Sequence, residues 1–124
     1  MKNESQELHN YLAEIADRSQ HGDISWTQPN PSSFHWSQNT DDDHFQVIIQ
    51  KAKNPKSRMR AISDEPEFVY MFQVQSKRNR QTMMSISSGE RHEFYRVLAA
   101  IFEGAERGID VRSSNVLRKL LQKD

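Results

Sequence analysis

The 124 residues fit one small domain, and 17 Lys and Arg balance 17 Asp and Glu to a formal charge of zero. No cysteine occurs, which excludes a disulfide scaffold and a thiolate metal centre, and no run approaches the roughly 18 apolar residues of a membrane helix. Thirty-six large apolar side chains stand against 31 Ser, Asn and Gln, enough for one core only if they are well patterned.

Residues 3–20 read as a helix, because Leu8, Tyr11, Leu12 and Ile15 recur at i, i+3, i+4 and i+7. His21-Gly22 ends it, with glycine suited to a left-handed C-cap. Residues 24–43 hold few apolar side chains and are broken by Pro29, Pro31 and Asp41–Asp43. They read as a loose polar segment with short strand-like pieces at Ile24–Thr27 and Phe34–Ser37, the prolines confining any ladder to an edge.

The sheet is expected over 44–87. Residues 44–52 put Phe45, Val47 and Ile49 on one face of a strand. Residues 53–60 form a basic loop, and Asp64-Glu65-Pro66 a turn. Residues 67–76 alternate Phe68, Tyr70, Phe72 and Val74 with Val69, Met71, Gln73 and Gln75. Lys77-Arg78-Asn79-Arg80 is a hairpin tip, and Gln81–Ile86 the returning strand.

Helices are expected over 88–122. Ser87 and Glu90 have the spacing of a capping box. Phe94, Val97, Leu98, Ile101, Phe102 and Ala105 then follow helical spacing. Gly104 and Gly108 weaken and stop that helix, and Ser113 or Ser114 caps a last short one bearing Val116, Leu117, Leu120 and Leu121. The stripes of the first and last helices either complete the core or face a partner. The expected fold is α+β in a single domain: an N-terminal helix, an antiparallel sheet of three to five strands, and two C-terminal helices packed on one face.

The zero charge is a cancellation. Residues 1–50 carry −6, residues 51–80 carry +5, and residues 81–124 carry +1. The cations Lys51, Lys53, Lys56, Arg58 and Arg60 leave the first good strand, and Lys77, Arg78 and Arg80 occupy the hairpin tip. These are the candidate nucleic-acid contacts, since phosphate binding needs clustered Lys and Arg. The two groups share an end of the sheet only if Met59–Ser63 is itself a strand. Phe68, Tyr70, Phe72, Trp26 and Trp36 are the rings available for stacking on unpaired bases.

Residues 67–105 run strand, basic tip, strand ending in Met84-Ser85-Ile86-Ser87, then Glu90 and a helix through Phe94, Leu98 and Ile101. This third of the chain resembles the sheet-then-helix unit of the Whirly, Pur and positive-cofactor-type single-strand-binding proteins. The resemblance implies a nucleic-acid-facing sheet and a dimer.

Catalytic chemistry finds little footing. Asp41-Asp42-Asp43-His44 is the densest ligand cluster, but no spaced partner follows, and no metal or cofactor is assigned. Glycine occurs only at 22, 89, 104 and 108, so no Gly-rich phosphate loop or Gly-x-Ser-x-Gly exists. His92 and Glu93 are adjacent and diverge on a helix. The N-terminus has no apolar signal region. The expectation is a cytoplasmic, non-enzymatic, oligomeric binding protein that takes single-stranded nucleic acid through 51–60 and 77–80. The alternative is a protein-binding regulator, inhibitor or adaptor of a larger complex that uses its acidic N-terminal half or its terminal helices.

Overall fold

A computed structural model of the chain describes residues 4–40, 42–55 and 66–122. Helix α1 (Glu4–Gln20) buries Leu12 and Ala16 and half-buries Leu8 and Ile15, the stripe that a 3.6-residue period dictates. Gly22 closes it at φ 77°. The Gly22 N–H donates to Ser19 O at 3.1 Å and the Asp23 N–H to Arg18 O at 2.9 Å. This pair satisfies two of the orphan carbonyls at the helix end.

Five strands follow: β1 (Thr27–Asn30), β2 (Ser33–Asn39), β3 (His44–Lys53), β4 (Phe68–Ser76) and β5 (Gln81–Ser87). They pair in chain order, each antiparallel to the next. The stretch 24–43, expected to be loose with short strand-like pieces at Ile24–Thr27 and Phe34–Ser37, supplies the β1–β2 hairpin, and the second of those pieces lies within β2. Its apolar residues are few but large and well placed: Ile24, Trp26 and Phe34 are buried. The Trp26 indole N–H donates to Ser19 Oγ at 2.8 Å, and that hydroxyl donates to Ile15 O at 2.7 Å. The hairpin is thus tied to α1 by a satisfied buried donor. Pro29 sits in β1, an edge strand, where its missing N–H breaks no central ladder.

Alternation assigns the two sheet faces. Phe34, Ile49, Phe72 and Ile86 lie directly opposite one another across β2–β5 and are all buried. With Val47 and Tyr70 they meet Leu98, Ile101, Phe102 and Ala105 of the C-terminal helix in one core. The rings of Phe34 and Phe102 meet edge-on, 4.9 Å between centroids. The opposite face presents rows such as His35, Ile48, Gln73 and Ser85, and Ser33, Gln50, Met71 and Ser87.

The C-terminal region is one helix, α2 (Tyr95–Leu121), entered through a single 3-10 turn (His92–Phe94). The expected break at Gly104 and Gly108 does not occur. Both glycines face α1 at the crossing of the two helices. A Cβ on Gly108 would lie 2.4 Å from Ser19 O, and one on Gly104 would lie 3.0 Å from Ala16 O. They are spacers that let two backbones touch, and the apolar face around them keeps the helix intact. Ser113 and Ser114 are consequently mid-helix residues rather than caps. Ser87 and Glu90 also differ from a capping box. The Ser87 carbonyl accepts the N–H of Glu90 and Arg91, and its hydroxyl accepts that of Gly89, so Ser87 closes a turn ahead of the helix.

Candidate functional site

The register places the predicted cations. The Lys77 N–H donates to His44 O at 2.7 Å, so the hairpin tip adjoins the start of β3. Lys53 pairs with Phe68 and Lys51 with Tyr70, at the far end of the same two strands. At about 3.4 Å per residue, Lys51 and Lys53 stand roughly 24 and 30 Å from the tip. Lys51 and Lys53 therefore lie at the opposite end of the sheet from the tip, because β3 and β4 are direct antiparallel neighbours. Lys56, Arg58 and Arg60, and the Met59–Ser63 segment on which a shared end depended, lie outside the described residues.

Local partners modify both groups. Lys51 is on the helix-covered face, its Nζ 4.6 Å from the Phe68 ring centroid and 4.9 Å from that of Phe102. Lys53 is exposed. At the tip, Arg78 donates to Asp42 O at 3.1 Å. The Asp43 carboxylate accepts from Ser76 Oγ at 2.8 Å and from the His44 N–H at 2.6 Å. The Ser76 hydrogen bond holds the Asp43 carboxyl below the usual carboxylate range; the His44 N–H and the charges of Arg78 and His44 add to this against partial desolvation. Acidic residues that read as a separate loop thus lie against the basic tip. His44 is itself engaged, through Nδ1, with Asn39 Oδ1.

The rings expected to be available for stacking on bases are packed in or against the core. Trp26, Tyr70 and Phe72 are buried, and Phe68 and Trp36 are half-buried against the same core. Burial, with lesser contributions from Tyr95, Glu103 and Glu106, pushes the Tyr70 phenol up to about 12. The open sheet face offers amides and hydroxyls instead. Gln46 Nε2 lies 3.2 Å from His35 Nδ1, and Gln50 Nε2 donates to Ser33 Oγ at 3.4 Å.

The most prominent surface is at the end of α2. The helix is roughly 40 Å long, and its buried residues stop at Gly108. Beyond Arg112 it extends past the core for more than two turns. Val116, Leu117, Leu120 and Leu121 are 57%, 59%, 62% and 85% exposed there. Spaced i, i+1, i+4 and i+5, they form one stripe continuous with Ile109. Between this helix end and β1 runs an open groove of about 560 Å³, lined by Trp26, Gln28, Ile109, Arg112, Val116 and Leu117 among others. Arg112 Nη2 donates to Trp26 O at 2.6 Å, while its Nε is buried with no hydrogen-bond partner among the described residues. A second, acidic depression lined by Glu103, Glu106 and Asp110 adjoins the first through Gln28 and Ile109.

Sequence periodicity finds the leucine stripe but cannot say what it faces. The groove and the role of Arg112 have no sequence signal, since they depend on β1 lying beside α2. Among the described residues no helix is long and apolar enough to cross a membrane. Comparison with known proteins gave no match, whether to a family model, a curated protein or a solved structure.

Proposed function

We propose that the chain is a cytoplasmic, non-enzymatic protein-binding module, a regulator or adaptor that docks through the protruding end of α2 and the groove beside it. The observation that carries this is the exposure of four large aliphatic side chains on one face of a formed helix. Burying each fully is worth roughly 1.5–3 kcal/mol. A contiguous apolar patch with a polar rim is the usual mark of an interaction site, and a helix face beside a groove is a common way to bind another helix.

Single-stranded nucleic-acid binding is the second reading. It draws on Lys77, Arg78 and Arg80, all exposed on one hairpin tip. It ranks lower because Lys51 and Lys53 stand at the other end of the sheet and the large rings face the helices.

A photoreactive benzoyl-phenylalanine at Leu117, with the same residue at Gln73 on the open sheet face as the control, tests the first reading in cells. A defined cross-linked protein, identified by mass and formed only from position 117, is expected. No product, or the same products from both positions, refutes it.

A further inference from the structure

We infer that the occupant of this surface is a second copy of the chain, its α2 end packed antiparallel against the first. The inference rests on the docking reading and adds the partner and its orientation. Its first support is that the surface carries both halves of a joint. The last turn presents Leu120 and Leu121 as projecting side chains, and one to three turns earlier the same helix forms a groove wall with Ile109 over Trp26. A two-fold contact requires this arrangement, in which residue i of one copy meets j of the other and j meets i.

Charge then selects the direction. Residues 103–110 hold Glu103, Glu106 and Asp110 against Arg107, a net of −2, while residues 111–122 hold Arg112, Arg118 and Lys119 and no acid, a net of +3. A parallel pair in register would stack +3 on +3. An antiparallel pair with its two-fold axis near Ser113 and Ser114 lays each basic end along the other copy's acidic stretch, the arrangement that flanking charges enforce in paired helices. Arg118 of one copy then lies beside Asp110 of the other. Leu120 and Leu121 fall level with the partner's Arg107 and Glu106, within one turn of the groove wall at Ile109. The small side chains of Ser113 and Ser114 fall where the two helices come closest.

The natural chain lacks cysteine, so single introduced thiols report this geometry without background. Sedimentation of the full chain is expected to give twice the 14.5 kDa chain mass. Ser113→Cys, adjacent to the axis, should oxidise to a disulfide dimer. Gln122→Cys should not, because the two copies of residue 122 are roughly 25 Å apart along the helix axis. Leu117→Asp with Leu121→Asp should halve the mass with the circular dichroism unchanged.

A single chain mass at every concentration overturns the inference. So does a dimer that survives the double substitution, or one that cross-links through residue 122 and not 113. The docking reading is separable from it. A monomeric chain whose position 117 captures a different protein removes the second copy and leaves the docking surface, whereas a monomer that captures nothing removes both.

Discussion

Gly108→Ala separates helix propensity from helix packing, because the two demand opposite signs. In an isolated helix, alanine is more favourable than glycine by roughly 0.8–1 kcal/mol, so the substitution ought to stabilise α2. The fold reverses this. The added Cβ would sit 2.4 Å from the Ser19 carbonyl oxygen, and ordinary contact begins at 3.4 Å. The obstacle is backbone, so α1 and α2 must separate locally by about 1 Å. Overpacking of this kind costs about 1–3 kcal/mol, sometimes more. Separation also strains the buried Trp26–Ser19–Ile15 hydrogen bonds, which lie on the same turn of α1. The net expectation is a loss of up to about 2 kcal/mol, or up to roughly 8 °C in Tm for a domain of this size. Urea unfolding followed by circular dichroism measures it. Gly104→Ala, meeting its neighbours at 3.0 Å, should lose less, and Gly89→Ala, whose nearest contacts are at 3.4 Å, should be near neutral. A midpoint that rises in Gly108→Ala at unchanged m-value would refute the close crossing of α1 and α2.

Three further outcomes follow from the same geometry. Ser19→Ala strands the Trp26 indole N–H in the core and should cost about 1–3 kcal/mol in urea unfolding; an unchanged midpoint would mean the indole finds another acceptor. The Asp43 carboxyl has a folded pKa below its unfolded value. Its contribution is therefore fully present above the unfolded value and is lost as pH falls through the folded one. Asp43→Asn should accordingly flatten the acid limb of the stability–pH curve, and an identical limb would show that the Ser76 and His44 contacts carry no stability. Finally, if the chain binds fluorescent single-stranded oligonucleotides through the hairpin tip, Lys77→Ala with Arg78→Ala and Arg80→Ala should flatten the log–log salt slope by about 2, three cations at −0.7 each. An unchanged slope in this variant would refute binding at the tip.

Much of the architecture is legible along the chain. The alternation of Phe68, Tyr70, Phe72 and Val74 places a strand and its buried face. The helical recurrence from Phe94 to Ala105 places the helix that covers it. Gly22 marks the end of α1, because only a left-handed residue closes that turn without strain. Where the reading failed, a local signal was overruled by something distant. Gly108 resembles a helix stop until Ser19 O is found 2.4 Å from its missing Cβ. Residues 24–43 resemble a loose segment until Trp26 and Phe34 are seen to reach the shared core.

The candidate site divides in the same way. A helical stripe of Val116, Leu117, Leu120 and Leu121, an acidic first half and two basic clusters are properties of the sequence alone, because periodicity and charge are local. Whether that stripe is core or surface, and whether the two clusters cooperate, depends on which elements become neighbours. Direct β3–β4 pairing sends Lys51 and Lys53 to the end of the sheet away from the hairpin tip. The core ends near Ile109 while α2 continues past it, so a stripe whose periodicity fits core and partner alike stands in solvent beside a groove formed by β1.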